Sequence, residues 1–302
     1  MTLLYELRKH GALFLMALPA LVLLVLFNYL PMFGVILAFK NYNFYDGILG
    51  SPWVGFDNFK YLFKGDAWLI TRNTLLYNFV FIIVGLVLSV AMAIVLDEIR
   101  SRFLSKTYQT ILIMPYFLSW TIVALIFYAF LSADKGIINQ MISSLGFHPI
   151  NFYTETTYWP YILVFVFFWK SVGYNSIIYL ASVTGISPDY YEAATIDGAN
   201  KWQQIRYITL PCLKPIIIIM TILSIGKIFY ADFGLFYQVT YNSGALYPVT
   251  QVIDTYVYNG LTTMGNYGMT AAAGLYQSFV GFVLVIFTNW VVKKIDRDSA
   301  LF

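Results

Sequence analysis

The amino-acid sequence predicts an all-α integral membrane protein with six transmembrane helices. Of its 302 residues, 60% are hydrophobic and 11% are charged, whereas soluble domains carry roughly 25% charged residues. A chain with so few charges cannot cover an aqueous surface. A bilayer core of about 30 Å needs roughly 20 apolar residues in a helix, and six segments are long enough. They are Gly11–Phe39, Thr74–Leu96, Thr107–Leu131, Tyr158–Ala181, Ile216–Tyr237 and Met269–Val292.

The first predicted span follows Arg8 and Lys9 and could be mistaken for a signal peptide. The apolar core of a signal peptide has about 7–15 residues, but here the uncharged run continues from Gly11 to Phe39. We therefore expect a membrane-spanning helix, kinked at Pro19 and Pro31.

The later spans contain the few charges that we expect inside the bilayer. Lys170 lies near the middle of the fourth span, and the fifth holds both Lys227 and Asp232. Beyond the fifth span, Pro248–Asn259 has the pattern of a short helix that ends before Gly260. We expect residues 1–302 to form a single transmembrane domain, with no soluble domain.

The orientation follows from the lysine and arginine residues near the ends of the spans, which favour the cytoplasmic side. Most of them share the side of the N-terminus, namely Arg8, Lys9, Arg100, Arg102, Lys106, Lys201, Arg206, Lys214, Lys293, Lys294 and Arg297. Fewer lie on the other side, namely Lys40, Lys60, Lys64, Arg72 and Lys135. The sequence therefore predicts that both termini are cytoplasmic.

A polar segment, Tyr191–Pro215, lies between the fourth and fifth spans on the predicted cytoplasmic side. Ser187 is a candidate helix cap before Pro188, and we expect a short helix from Asp189 to Asp197. Gly198 then has the usual place of a C-terminal glycine. We expect a second helix from Lys201 to Thr209, broken by Leu210-Pro211 before the fifth span.

The spacing EAA-x3-G-x9-I-x-L-P in this segment resembles the coupling loop of binding-protein-dependent ABC importer permeases. The resemblance implies that loop 183–215 docks in a cleft of an ATPase subunit. An alternative is an ordinary amphipathic helix lying on the lipid headgroups. The residues that we assign to coupling are Glu192, Ala193, Ala194, Asp197, Gly198, Ile208, Leu210 and Pro211.

Charged residues within spans are functional candidates, because each costs about 2.5–3.5 kcal/mol on insertion scales. One hypothesis is a water-filled cavity for a polyhydroxylated substrate, either neutral or acidic. The alternative is that the charges bond helix ends or a partner subunit and that the aromatic rings pack at interfaces. The cavity candidates are Lys170, Tyr174, Asn175, Lys227, Tyr230, Asp232, Phe233, Tyr276 and Gln277.

Further stretches resemble the permeases of carbohydrate importers, in particular the LplB-like permeases for oligosaccharides and polysaccharides. They are Trp169–Asn175 and Gly185–Tyr191, together with Val54–Phe59 in the first outer segment. From the last stretch we take candidate contacts for a solute-binding protein, namely Gly55, Phe56, Asp57, Asn58 and Phe59.

The resemblance implies a type I ABC importer fold in the bacterial plasma membrane, importing an oligosaccharide or glycan fragment by alternating access. It implies a second permease, usually in a heterodimer, two ATPase subunits and an extracellular solute-binding protein. The sequence has no G-x4-G-K-[ST] motif, so we expect ATP and Mg²⁺ in the ATPase and no cofactor in this chain. Besides the carbohydrate, we expect contacts with membrane lipid and none with nucleic acid.

Three alternatives to a sugar permease remain. The first, an importer permease for a non-sugar solute, differs only in its substrate, whereas a secondary transporter or channel and a membrane-embedded enzyme differ in class. We find no inverted repeat for a secondary transporter and no catalytic constellation for an enzyme. The single cysteine, Cys212, excludes an internal disulfide and leaves nothing to suggest a metal site.

Overall fold

The computed structural model describes residues 9–63, 67–99, 101–263 and 265–295. Within these ranges the regular structure is helical, apart from one isolated bridge between Lys40 and Trp53. The described residues fall into two compact units. One comprises the described parts of Met1–Gly65 and Val257–Tyr276, and the other those of Asp66–Tyr256 and Gln277–Phe302. The orientation residues Arg8, Lys64, Arg100 and Arg297 lie outside the described residues.

The first helix, α1, has the predicted bounds Gly11–Phe39. It changes to a π turn at Val25–Tyr29 and to a 3₁₀ segment at Leu30–Phe39, and Pro19 remains inside its α-helical part. No residue of the α-helical part, Gly11–Leu24, is buried. This surface is therefore free to face lipid.

Two long helices form the centre of the larger unit. Helix α2 spans Ala67–Asp97 and begins earlier than predicted, and the fourth predicted span is a helix at Trp159–Val183, labelled α6 below. Their aromatic side chains interlock, and the rings of Phe81 and Phe167 stack with centroids 3.8 Å apart.

The third predicted span, Thr107–Leu131, is not one helix. The structure has α3 at Arg102–Phe117 and α4 at Trp120–Leu131, bent by 97° between them. Pro115 lies at the break, where it cannot donate a backbone hydrogen bond. The hydroxyl of Ser119 then accepts from the amide of Ile122 at 3.3 Å and caps α4.

Three further helices follow α4 and lead into the polar segment. Helix α5 is short, at Ile137–Ser144. Helix α6 is the Trp159–Val183 helix described above, and α7 spans Pro188–Ile196.

The prediction for the fifth span is wrong in both bounds. One 25-residue helix, α8, runs from Lys201 to Ile225, so Leu210-Pro211 does not interrupt it. A π turn at Ile205–Thr209 precedes Leu210-Pro211. In a regular α-helix the backbone nitrogen of Pro211 would donate a hydrogen bond, which proline cannot do. After Ile225 the chain leaves the helix and re-enters a π-helical turn only at Gly234–Val239. Lys227 and Asp232 therefore lie in a non-helical connection.

The segment after this turn also differs from the prediction. Instead of one helix at Pro248–Asn259, the structure has a short turn of helix, Tyr247–Thr250, and helix α9 at Ile253–Thr262. The hydroxyl of Tyr77 on α2 donates to the carbonyl of Val249 at 2.8 Å. Helix α10 spans Tyr267–Ile295 and agrees with the sixth predicted span.

Candidate functional site

Helix α7 is formed by local signals that the sequence contains. The hydroxyl of Ser187 accepts from the amide of Asp189 at 3.3 Å, and Pro188 occupies the first turn. At the other end, Gly198 has φ +82°, a left-handed conformation that glycine adopts without strain. The amide of Ala199 donates to the carbonyl of Ala194 at 2.8 Å and closes the helix end. The predicted cap, first turn and terminal glycine are confirmed.

Side-chain hydrogen bonds hold α7 against the first turns of α8. The hydroxyls of Tyr191 and Thr209 lie 3.0 Å apart, and the amide of Gln204 donates to the hydroxyl of Thr195 at 2.9 Å. The ammonium of Lys201 forms an ion pair with Glu98 at 3.0 Å. These contacts connect α7 to α8, and α8 to the residue that follows α2.

The outer face of α7 is open to contact. Glu192 and Ala193 line this side of the helix and are both exposed, while Ala194 is half-buried. The side chain of Ile196 is 86% exposed, and that of Trp202 at the start of α8 is 71% exposed. This face of α7 therefore presents both apolar side chains and the carboxylate of Glu192.

The other residues assigned to coupling lie at the end of α7 and within α8. Asp197 is the exposed C-cap of this helix. Within α8, Ile208 is partly buried while Leu210 and Pro211 are exposed.

A cavity of about 220 Å³ lies among α2, α6, α8 and the connection after α8. The amide nitrogen of Asn78 on α2 donates to the carbonyls of Ile228 at 2.9 Å and Tyr230 at 3.1 Å, which fixes this connection. The lining residues are Asn78, Phe81, Ile82, Gly85, Leu86, Ser89, Phe167, Asn175, Tyr179, Met220, Thr221, Ser224, Lys227 and Tyr230.

Of the nine predicted cavity residues, the lining includes Asn175, Lys227 and Tyr230. The hydroxyl of Tyr230 lies 2.7 Å from that of Ser278. The side chains of Asn175 and Lys227 have no hydrogen-bonding partner within the described ranges. These two side chains are available to a solute.

Lys170 lies elsewhere, at the break between α3 and α4. Its ammonium donates to the carbonyls of Pro115 at 3.3 Å, Tyr116 at 2.8 Å and Leu118 at 2.6 Å. The ring of Tyr174 stacks on that of Tyr116, with centroids 4.0 Å apart. This geometry matches the alternative in which an intramembrane lysine bonds a helix end.

The remaining cavity candidates have structural contacts. The carboxylate of Asp232 accepts from the amides of Gly234 at 3.1 Å and Leu235 at 3.3 Å, which caps the turn at Gly234–Val239. The ring of Phe233 stacks on that of Tyr237 at 4.8 Å.

Gln277 and Tyr276 are adjacent in the sequence but belong to different compact units. The amide nitrogen of Gln277 donates to the carbonyl of Phe229 at 2.7 Å and to the carboxylate of Asp254 at 3.3 Å. Tyr276 is half-buried in the smaller unit.

Several lining residues were not among the sequence candidates. Ser89 is 1% exposed, and its hydroxyl has no hydrogen-bonding partner within the described ranges. On α8, Thr221 and Ser224 donate to carbonyls of their own helix at 2.7 and 2.8 Å, so only their oxygen lone pairs face a solute. Thr221, Ser224 and Lys227 recur at intervals of three, a spacing that could have identified this face.

The predicted binding-protein element, Gly55–Phe59, lies at the end of α1. The side-chain amide of Asn58 donates to the carbonyls of Leu37 at 3.3 Å, Ala38 at 3.0 Å and Lys40 at 2.9 Å. The ring of Phe59 packs on that of Phe56 at 5.6 Å. Phe56 and Asp57 are exposed, and Gly55 has φ +59°. Asn58 thus anchors the element and its exposed residues remain available.

The fold and the site define a class of protein, a multi-span helical membrane protein with a cavity of mixed polar and apolar lining among its spans and a short exposed helix beside one of them. The chain belongs to the binding-protein-dependent transport system inner membrane components, whose family profile matches residues 82–297. It is therefore a multi-pass permease subunit of an ABC importer in the plasma membrane, a transport component and not an enzyme.

Named relatives cover nearly the whole chain. Protein LplB of Bacillus subtilis (strain 168) is 35% identical over 97% of this chain and 92% of its own length. The polygalacturonan/rhamnogalacturonan transport system permease protein YteP of the same organism is 34% identical over 98% and 92%. A crystal structure of a bacterial ABC transporter involved in the import of the acidic polysaccharide alginate matches with a TM-score of 0.87, 32% identity and coverage of 97% and 99%.

Proposed function

We propose that this permease moves a carbohydrate, an oligosaccharide or glycan fragment, into the cytoplasm by alternating access. The observation that carries the proposal is the cavity among α2, α6 and α8. Its stacked pair of Phe81 and Phe167 offers an apolar surface to a sugar ring. Asn175 and Ser89 offer hydrogen bonds to hydroxyl groups, and such a mixed lining is typical of small-molecule sites. The carbohydrate names of similar permeases support the same substrate class.

Helix α7 is, on this proposal, the coupling helix that docks on an ATPase subunit. Glu192 and exposed Ile196 provide its contact face, and the bonds of Tyr191 and Gln204 link it to α8. The ATPase subunit binds ATP and Mg²⁺, and both termini of the permease lie in the cytoplasm.

The assembly that we propose contains a second permease, two ATPase subunits and an extracellular solute-binding protein. The element at Gly55–Phe59 contacts the binding protein through exposed Phe56 and Asp57. A crystal structure of a bacterial alginate ABC transporter in complex with alginate pentasaccharide-bound periplasmic protein matches this chain with a TM-score of 0.86 and 32% identity, and it supports a binding-protein partner here. We also propose that residues 1–302 act as one transmembrane domain.

The test is ATP hydrolysis and solute uptake by the reconstituted complex. The complex is titrated with binding protein and with a panel of neutral and acidic oligosaccharides, and amino acids and phosphate serve as non-sugar controls. We expect stimulation of both activities by one class of oligosaccharide. Stimulation by a non-sugar solute alone would refute the carbohydrate assignment and leave the permease family unchanged.

A further inference from the structure

Lys227 is a cation in the cavity that no described residue neutralises. It lies two residues beyond the end of α8, its side chain is exposed, and it lines the cavity. Across the described ranges no hydrogen bond or ion pair reaches its ammonium. The described cavity lining contains no aspartate or glutamate.

Two other lysines close to the spans donate hydrogen bonds to backbone carbonyls of this chain. Lys170 is 8% exposed and donates to three carbonyls. Lys40 is 3% exposed and donates to the carbonyls of Ile48 at 2.9 Å and Leu49 at 2.7 Å. The open environment of Lys227 therefore sets it apart from these two.

A second unpartnered polar group lines the same cavity. The hydroxyl of Ser89 is buried, and among the described residues it has no hydrogen-bonding partner. Since a buried hydroxyl without a hydrogen bond costs free energy, this position favours a bound solute or water. The amide of Asn175 lines the cavity as well and can donate and accept.

The chemistry of these groups matches a sugar that carries a carboxylate. A carboxylate only accepts hydrogen bonds, and the ammonium of Lys227 is a charged donor. Ser89 and Asn175 can bond hydroxyls, while Phe81 and Phe167 present an apolar surface to the ring. We propose that Lys227 binds the carboxylate of a uronate residue and that this permease transports an acidic oligosaccharide. This inference rests on the proposed function in carbohydrate import.

The test compares wild-type and variant complexes, reconstituted with the partner permease, ATPase and binding protein. The probes are oligogalacturonate, oligomannuronate and oligoglucuronate, each paired with its neutral methyl ester, and a panel of neutral oligosaccharides. The variants are Lys227→Met and Lys227→Arg. The control is Lys135→Gln, which removes an exposed positive charge outside the predicted spans.

We expect the wild-type complex to transport a uronate oligosaccharide and Lys227→Met to slow that uptake about tenfold or more, because a charged hydrogen bond is lost. Uptake of neutral substrates by Lys227→Met should fall much less than uptake of the acidic probe, because a neutral sugar has no carboxylate for the ammonium to bind. Lys227→Arg should restore uptake of the acidic probe, and Lys135→Gln should behave as the wild type.

Three results would overturn the inference. If Lys227→Met slows acidic and neutral sugars equally, or impairs assembly, Lys227 pairs with a protein group such as a carboxylate of the partner permease. If it slows neither, or if the wild type transports only neutral sugars, the acidic assignment fails and carbohydrate import stands. If the intact wild-type complex transports no sugar at all, the proposed function fails together with this inference.

Discussion

Replacing Lys170 by methionine separates the two roles that an intramembrane lysine can have. In the structure its ammonium donates three hydrogen bonds to the carbonyls that end α3. Interhelical hydrogen bonds in a membrane protein contribute about 0.6 kcal/mol on average and about 1.7 kcal/mol at most. We therefore expect Lys170→Met to lower the free energy of unfolding by about 2–5 kcal/mol, because three carbonyls at the break lose their donor.

The assay is thermal unfolding of the purified complex in lipid nanodiscs, followed by circular dichroism. Lys227→Met is the matched control, since it makes the same chemical change at an exposed lysine of the same chain. We expect a lower midpoint for Lys170→Met and an unchanged midpoint for the control. An unchanged midpoint in both, with uptake altered by Lys170→Met, would refute the structural role and place Lys170 in contact with the substrate.

Three further substitutions test other parts of the structure. Glu192→Lys should abolish stimulation of ATP hydrolysis by loaded binding protein while membrane insertion, measured by fractionation, is retained; normal uptake would contradict the coupling role of α7. Gly173→Val should lower the thermal midpoint, since even a Cβ atom at this position on α6 would clash with the carbonyl of Leu112 on α3. An unchanged midpoint would show that α3 and α6 can move apart with no loss of stability. Asn58→Ala removes three hydrogen bonds from the end of α1 and should weaken the response to binding protein, measured as its half-saturating concentration; an unchanged concentration would contradict the anchoring role of Asn58.

A helix could be predicted where the residues that fix its bounds lie close to it in the sequence. The bounds of α7 follow from Ser187, Pro188 and Gly198, all within a few residues of the helix. Long apolar runs predicted the first, second, fourth and sixth spans for the same reason.

The break between α3 and α4 depends on a residue that is distant in the sequence. Pro19 and Pro215 lie inside helices, whereas Pro115 lies at a 97° bend. The carbonyls freed at this bend accept hydrogen bonds from Lys170, which is 55 residues away. A proline tolerated in a span requires such a partner, and no local pattern identifies it.

The cavity was predicted only in part because its lining depends on which helix faces meet. Lys170 and Lys227 are both polar residues in predicted spans, and no local pattern separates them. In the structure one bonds a helix end and the other faces the cavity. Ser89 and Thr221 are small residues in apolar runs, so composition alone does not distinguish them from packing residues.

The continuity of α8 has a consequence for the proposed mechanism. The sequence predicted a break at Leu210-Pro211, which would have separated the second short helix, Lys201 to Thr209, from the fifth span. Instead, one helix of 25 residues, about 37 Å long at 1.5 Å per residue, joins the two. Its first turns are bonded to α7 through Thr209 and Gln204, and its last turns line the cavity through Thr221 and Ser224. On the proposed mechanism, a movement of α7 imposed by an ATPase reaches the cavity through one continuous helix, and the connection that carries Lys227 begins directly beyond its end.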